Sequence, residues 1–122
     1  MSTAALRANA FYVQVAKDRA VFSFSDEDSM LVFRIGNQDV RPFWSSRSRI
    51  EKVQAEHPKY AAFIIDEVPL DRFLQRTLQL LDEGKIHIGV NWSGARLTGY
   101  DISPKDLRRN IVYWQDRDAE SQ

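Results

Sequence analysis

At 122 residues, 43% hydrophobic and 28% charged, the chain has the size and make-up of one folded domain and is too short for two independent cores. The absence of cysteine removes disulfides, thiolate nucleophiles and cysteine-ligated zinc. Lysine and arginine together equal aspartate and glutamate at 17 each, so the general positive field that nucleic-acid binders use is missing and no nucleic-acid partner is expected. The first residues lack a basic stretch followed by an apolar run, and no segment approaches the ~20 apolar residues of a membrane span. The expectation is a cytoplasmic, soluble protein with no membrane partner.

In chain order, the alanine-rich stretch from Thr3 to about Lys17 reads as a helix capped by Ser2 or Thr3. Its apolar stripe includes Leu6, Ala10 and Val13, and Phe11, Tyr12 and Val15 widen it. The run Ala20 to Phe24 is a short strand, Asp26-Glu27-Asp28 an acidic turn, and Met30 to Ile35 a second strand, the pair reading as a hairpin. After the Gly36-Asn37 turn, Val40 to Trp44 makes a third strand, which Pro42 assigns to a sheet edge or a strand end. A helix starts within Ser45 to Ser48, with Ser45, Ser46 or Ser48 as its cap, and ends near His57 because Pro58 follows. Ala62 to Val68 is a fourth strand.

Leu70, Phe73, Leu74, Thr77, Leu78 and Leu81 recur at helical spacing up to Gly84. Ile86, Ile88 and Val90 alternate as a strand with one buried face, with a return strand over Leu97 to Ile102. Ser103-Pro104-Lys105-Asp106 combines a cap, a first-turn proline and an acid, and opens a last helix that buries Leu107, Ile111 and Trp114. The polar tail from about Asp116 frays. The whole chain, residues 1–122, reads as one α+β domain: a mainly antiparallel sheet of about five or six short strands with four helices packed against it.

Two Trp-Ser dipeptides stand out. Trp44-Ser45-Ser46-Arg47-Ser48-Arg49 puts an aromatic at a strand end, hydroxyls at a helix start and two guanidinium groups in the first turn, a setting suited to an anion. Asn91-Trp92-Ser93-Gly94 repeats the aromatic and hydroxyl at a second strand end, where Gly89, Asn91 and Gly94 allow positive φ. The competing reading is that the serines cap, the tryptophans pack and the arginines face water.

Other chemistry is poorly supported. Asp66 and Glu67 are adjacent on a strand and point to opposite faces, so they form no facing acid–base pair. The acidic run lacks the ligand spacing of a calcium loop. His57 at a helix end and His87 on its strand give no nucleophile set, and two distant histidines make no zinc site. No phosphate-cradling glycine loop is present. No catalytic residue, metal or cofactor is therefore assigned, and Lys105, Arg108 and Arg109 read as a solvated helix face.

Phe11-Tyr12, Pro42-Phe43-Trp44-Ser45, His57-Pro58-Lys59-Tyr60, Phe73-Leu74, Gly89 to Gly94 and Gly99-Tyr100-Asp101 together resemble the bacterial family catalogued as domain of unknown function 2750, from about Asn9 to Ile111. The resemblance implies a stand-alone bacterial α+β protein and carries no activity, cofactor or catalytic residue. The functional expectation is a small binding module for a protein or a small anionic ligand. Its surface is expected at Trp44, Ser45, Ser46, Arg47, Arg49, Asn91, Trp92, Ser93 and Tyr100. The alternatives are a small enzyme using Glu67 or His87 as acid or base, and an immunity-like or regulatory protein that binds another protein.

Overall fold

The computed structural model describes residues 3–27 and 29–120. Ser2 and Asp28, named above in a cap and a turn, lie outside the described residues. Helix α1 spans Thr3–Asp18, followed by strands β1 (Ala20–Ser25), β2 (Phe33–Ile35) and β3 (Gln38–Phe43). Helix α2 covers Arg47–Glu56, a short 3-10 turn Pro58–Tyr60, and β4 Ile64–Pro69. Helix α3, residues 70–83, is α-helical at both ends with a π-turn over Phe73–Thr77 between them. Strands β5 (Ile86–Ser93) and β6 (Thr98–Ile102) and helix α4 (Pro104–Glu120) complete the chain.

The fold is α+β, with four helices and six strands among the described residues. The strands form two sheets, β1-β4 and β2-β3-β5-β6, and every pairing is antiparallel except β3 with β5. The expected hairpin of β1 with Met30 to Ile35 is reduced to one antiparallel bridge, Ser25↔Met30, and β2 itself does not pair with β1. Ala20 to Phe24 are all buried, so β1 needs a partner along its full length, and β4 supplies it from Ala20↔Pro69 to Ser25↔Ile64. Strand β2 instead turns back onto β3 through Gly36, which adopts φ +60°. Pro42 lies at a strand end, one of the two places expected for it: it is the penultimate residue of β3, an inner strand whose pairing with β2 stops at Val40. Trp44 exchanges backbone hydrogen bonds with Phe22, so Pro42, two residues earlier, turns the same side toward β1. There its carbonyl accepts from Ser23 Oγ at 2.7 Å and its missing N–H leaves no ladder bond broken.

Alternation along the strands feeds two cores. Val21, Phe43, Ile88 and Val90 face α1, α3 and α4 and meet Phe11, Val15, Phe73, Leu107 and Ile111. Phe22, Phe24, Val40 and Trp44 face the other way, under α2 and the 3-10 turn, with Ile50, Val53 and Tyr60. Helix α1 is rotated from the expected stripe: Ala8, Phe11, Tyr12, Val15 and Ala16 are buried, whereas Leu6 and Val13 are exposed. The aromatic stripe removes more apolar area from water, and it decides the face. Strand β5 is buried on both sides from Ile88 to Trp92, not on one.

The helix signals resolve cleanly. Ser46 caps α2, accepting from the Arg49 N–H at 3.2 Å. Ser103 Oγ accepts from the Asp106 N–H, as the Ser-Pro-Lys-Asp pattern requires. Helix α4 continues to Glu120, past the point where fraying was expected. Arg108 is not a free surface cation: it donates to the Leu74 carbonyl inside the π-turn, while Arg109 pairs with Asp106. Gly84 keeps a right-handed φ, and Lys85 takes the left-handed step at φ +57°.

Strand β5 carries a bulge between Val90 and Ser93, with Asn91 at φ +49°. Simple alternation after Ile88 and Val90 would send Trp92 into the first core, but the bulge throws it into the second. Its ring lies flat on Gly89 and Gly99, where an added Cβ would come within 2.3 and 2.7 Å of it. Close approach, not positive φ, is why position 89 is glycine. Gly89→Ala is therefore expected to lose about 3 kcal/mol or more in urea unfolding, whereas Gly36→Ala, with open space around it, loses about 1 kcal/mol from its backbone angle alone.

Candidate functional site

The two Trp-Ser dipeptides converge, but inside the molecule, and Trp92-Ser93 end strand β5 rather than forming a turn. Trp44 and Trp92 are 1% and 2% exposed, and Ser45 and Asn91 are also buried. Trp44 Nε1–H donates to the Trp92 carbonyl at 2.7 Å. The Ser45 N–H donates to Asn91 Oδ1 at 2.9 Å, Ser45 Oγ donates to Gln14 Oε1 at 2.8 Å, and Asn91 Nδ2 reaches Ser45 Oγ at 3.1 Å. Asn91 Nδ2 also reaches the Arg7 carbonyl at 3.5 Å. These contacts tie the parallel strands β3 and β5 to each other and both to α1. The expected exposed aromatic surface is thus a buried polar lock, because the Asn91 bulge turns the second tryptophan inward.

The remaining expected site residues scatter around it. Ser46 is spent on the α2 cap, with Ser48 Oγ 3.1 Å away. Arg47 lies over the Phe22 ring and pairs with Glu67 at 3.4 Å. Arg49 and Ser93 border a cavity of about 100 Å³ beside the two tryptophans, together with Lys52 and Glu56, room for only a few waters. Tyr100 is on the opposite face of the sheet, since it pairs in register with Val90 of the first core. His87 acts on Asp101, whose carboxyl burial pushes above the usual range against the Trp92 Nε1–H hydrogen bond (3.2 Å) and the His87 charge. His57 Nε2 lies 2.9 Å from the Gly94 carbonyl and fastens the β5–β6 turn.

A different residue, not singled out by the sequence, carries the best-formed site. Arg41 of β3 shares the first-core side of the sheet with Phe43, and its side chain is only 12% exposed. Nε–H donates to Ser23 Oγ at 3.2 Å, Nη2 stands 3.7 Å from Asp66 Oδ2, and the guanidinium lies 5.2 Å from the Phe43 ring centroid. Burial pulls its pKa below the usual arginine value, opposed by Asp66. Among the described residues, one N–H of five makes a hydrogen bond to protein, and the ion pair with Asp66 is longer than one.

Arg41 is one of the residues that line a cavity of about 330 Å³ between β4 and α3. Phe43, Val68, Leu80 and Leu81 give it apolar walls, and Asp66, Glu67, Arg72 and Thr77 add polar groups. The π-turn shapes one wall: the Leu78 N–H skips back to the Phe73 carbonyl, which widens the helix at Thr77. Such turns concentrate at functional sites. Asp66 and Glu67, on opposite faces of β4, both reach this cavity, because β4 is the open edge of its sheet. The one sequence signal for the site was a charged residue, Arg41, among Val40, Pro42 and Phe43.

The sequence profile of the family described as protein of unknown function (DUF2750) matches residues 8–111. The chain belongs to this family. The matched span holds every residue lining the Arg41 cavity and all of the Trp-Ser lock except Arg7, whose carbonyl Asn91 reaches. No curated protein matches the chain. Among the described residues of this DUF2750 protein, no cluster of three His, Asp or Glu side chains suits a metal ion, and no helix is long and apolar enough to cross a membrane.

The lock makes a sharp stability prediction. Asn91→Gly keeps the positive φ accessible but strands the Ser45 N–H, and is expected to cost about 1–3 kcal/mol in urea unfolding. Asn91→Ala adds a left-handed alanine and costs about 1 kcal/mol more. Arg49→Ala, on the exposed side, stays within about 0.5 kcal/mol of the parent.

Proposed function

We propose that this DUF2750 protein is a small-molecule-binding module, and that its ligand is an apolar zwitterion of the kind a hydrophobic amino acid presents. The observation that carries the reading is Arg41, a half-buried guanidinium with N–H groups to spare, lining a cavity whose charges balance. Arg41 and Arg72 suit a carboxylate, since a guanidinium fork binds one with two hydrogen bonds. Asp66 and Glu67 suit an ammonium group. Phe43, Leu80 and Leu81 suit an apolar side chain. A volume of about 330 Å³ sits at the small end of ligand pockets. A simple anion fits less well, because the carboxylates of Asp66 and Glu67 repel it.

The site thus moves from the Trp-Ser dipeptides to the cavity on the other face of β3, and the expected small anionic ligand becomes one that also carries a positive charge. Glu67 lines the cavity, but it is half exposed and held by Arg47, which favours ligand placement over proton transfer. Bacterial origin and cytoplasmic residence, implied by the family resemblance and by a cysteine-free, span-free sequence, belong to the same proposal.

The test is a thermal-shift screen with apolar amino acids, their deaminated acids and their decarboxylated amines. At 100 times its Kd a ligand stabilises by about 2.7 kcal/mol, a rise in Tm on the order of 10 °C for a chain of this size. The zwitterions are expected to raise Tm more than either half-molecule. Arg41→Met, which replaces a buried charge by an apolar chain of similar length, is expected to fold and to lose the shift. No shift with any zwitterion, or an equal shift in Arg41→Met, refutes the proposal.

A further inference from the structure

On the second-core face, a cleft of about 380 Å³ opens between β2, the 3-10 turn after α2 and the β5–β6 turn. Its floor is aromatic: Phe33 lies 5.3 Å from Trp92 and 6.0 Å from Tyr60, ring centre to ring centre. Tyr60 and the edge of Trp92 are nearly closed off by packing, whereas Phe33 is half-buried and offers its ring to the cleft. Four side chains that are or can be cationic line the same space, namely Arg34, His57, Lys59 and Arg96.

Among the described residues, no carboxylate lines it. In a chain whose acids and bases balance, that is a local excess of positive charge. Two of the four are occupied: Arg34 pairs with Asp39 at 3.0 Å, and His57 is fixed on the Gly94 carbonyl. Lys59 and Arg96 are exposed, and Lys59 lies 5.1 Å from the Tyr60 ring centroid. Like charges around a concave, partly apolar surface focus a positive potential into it.

We propose that this cleft binds a phosphorylated planar compound of the nucleotide class, with the phosphates between Lys59 and Arg96 and the planar group against Phe33. The two halves of the cleft ask for the two halves of such a ligand. Uncommitted cations without a carboxylate favour a multiply charged anion, for which arginine supplies a fork and lysine a point charge. A half-buried ring beside them favours a flat, polarisable group. The cleft is separate from the Arg41 cavity, with which it shares no residue and from which it differs in charge balance. The inference therefore does not rest on the zwitterion reading.

The experiment is a calorimetric titration of the full chain with ADP, with adenosine and with inorganic pyrophosphate, repeated for Lys59→Ala/Arg96→Ala and for Arg41→Met. Lys59 and Arg96 lie outside both cores, so the double variant is expected to fold, and its Tm checks that it has. ADP is expected to bind more tightly than either fragment by about tenfold or more, and to weaken as salt is raised. The double variant is expected to lose about tenfold or more in ADP affinity, with Arg41→Met unchanged. Three results each overturn the proposal: no ADP binding, equal binding of pyrophosphate and ADP, or equal ADP binding by the folded double variant. Loss of ADP binding in Arg41→Met would move the nucleotide to the other cavity and overturn it too.

Discussion

Trp44 Nε1–H donates to the backbone carbonyl of Trp92 at 2.7 Å, and the second face of the sheet is organised around that bond. It joins the ends of two parallel strands, β3 and β5, which no short turn could connect. It forms because Asn91 adopts φ +49° and bulges β5, reversing the side to which Trp92 points. The freed Asn91 amide then meets the backbone and hydroxyl of Ser45, and Ser45 reaches Gln14 of α1. One bulge therefore links both cores: the helix that covers the first core is fastened to the strand ends that hold the second. Glycine at 89 and 99 follows from the same event, since the displaced indole needs a flat bed.

Buried polarity is used in two opposite ways. Within the lock the side chains of Trp44, Ser45 and Asn91 are all hydrogen-bonded, and among the described residues no buried side-chain nitrogen or oxygen lacks a partner. A matched network in a low-dielectric interior specifies one arrangement and resists change. Arg41, on the other face of β3, is partly desolvated, holds one hydrogen bond and a long ion pair among the described residues, and lines a cavity. The first pattern suits architecture, and the second is the basis of the proposed recognition. The two tryptophans, the most conspicuous residues in the sequence, fall into the first class.

Much of the architecture was legible because it depends on local signals. The spacing of Leu70, Phe73, Leu74, Leu78 and Leu81 marked α3 and its buried face, and the Ser103 to Asp106 cap marked the start of α4. What was illegible depends on pairing and on parity. Nothing local says that β1 pairs with β4 rather than with β2, since that follows from β1 being buried on both sides. Two apolar stripes compete on α1, and only the size of the core selects the one through Phe11 and Val15. The Asn91 bulge shifts the strand alternation by one residue and so inverts the reading of Trp92. Arg41 drew no functional reading from the sequence, because its partial burial is made by α3 and β4, which are remote in sequence.

The central claim is that the junction of the Trp-Ser dipeptides is a structural lock as permanent as the fold. Hydrogen exchange followed by NMR at the Trp44 indole Nε1–H and the Ser45 amide tests it directly. A lock predicts that both protons exchange only on global unfolding, with opening free energies within about 1 kcal/mol of the stability from denaturant unfolding. Exchange of either proton at the rate of exposed helix-end amides would show that the junction opens by itself, and would return the two tryptophans to the candidate binding surface.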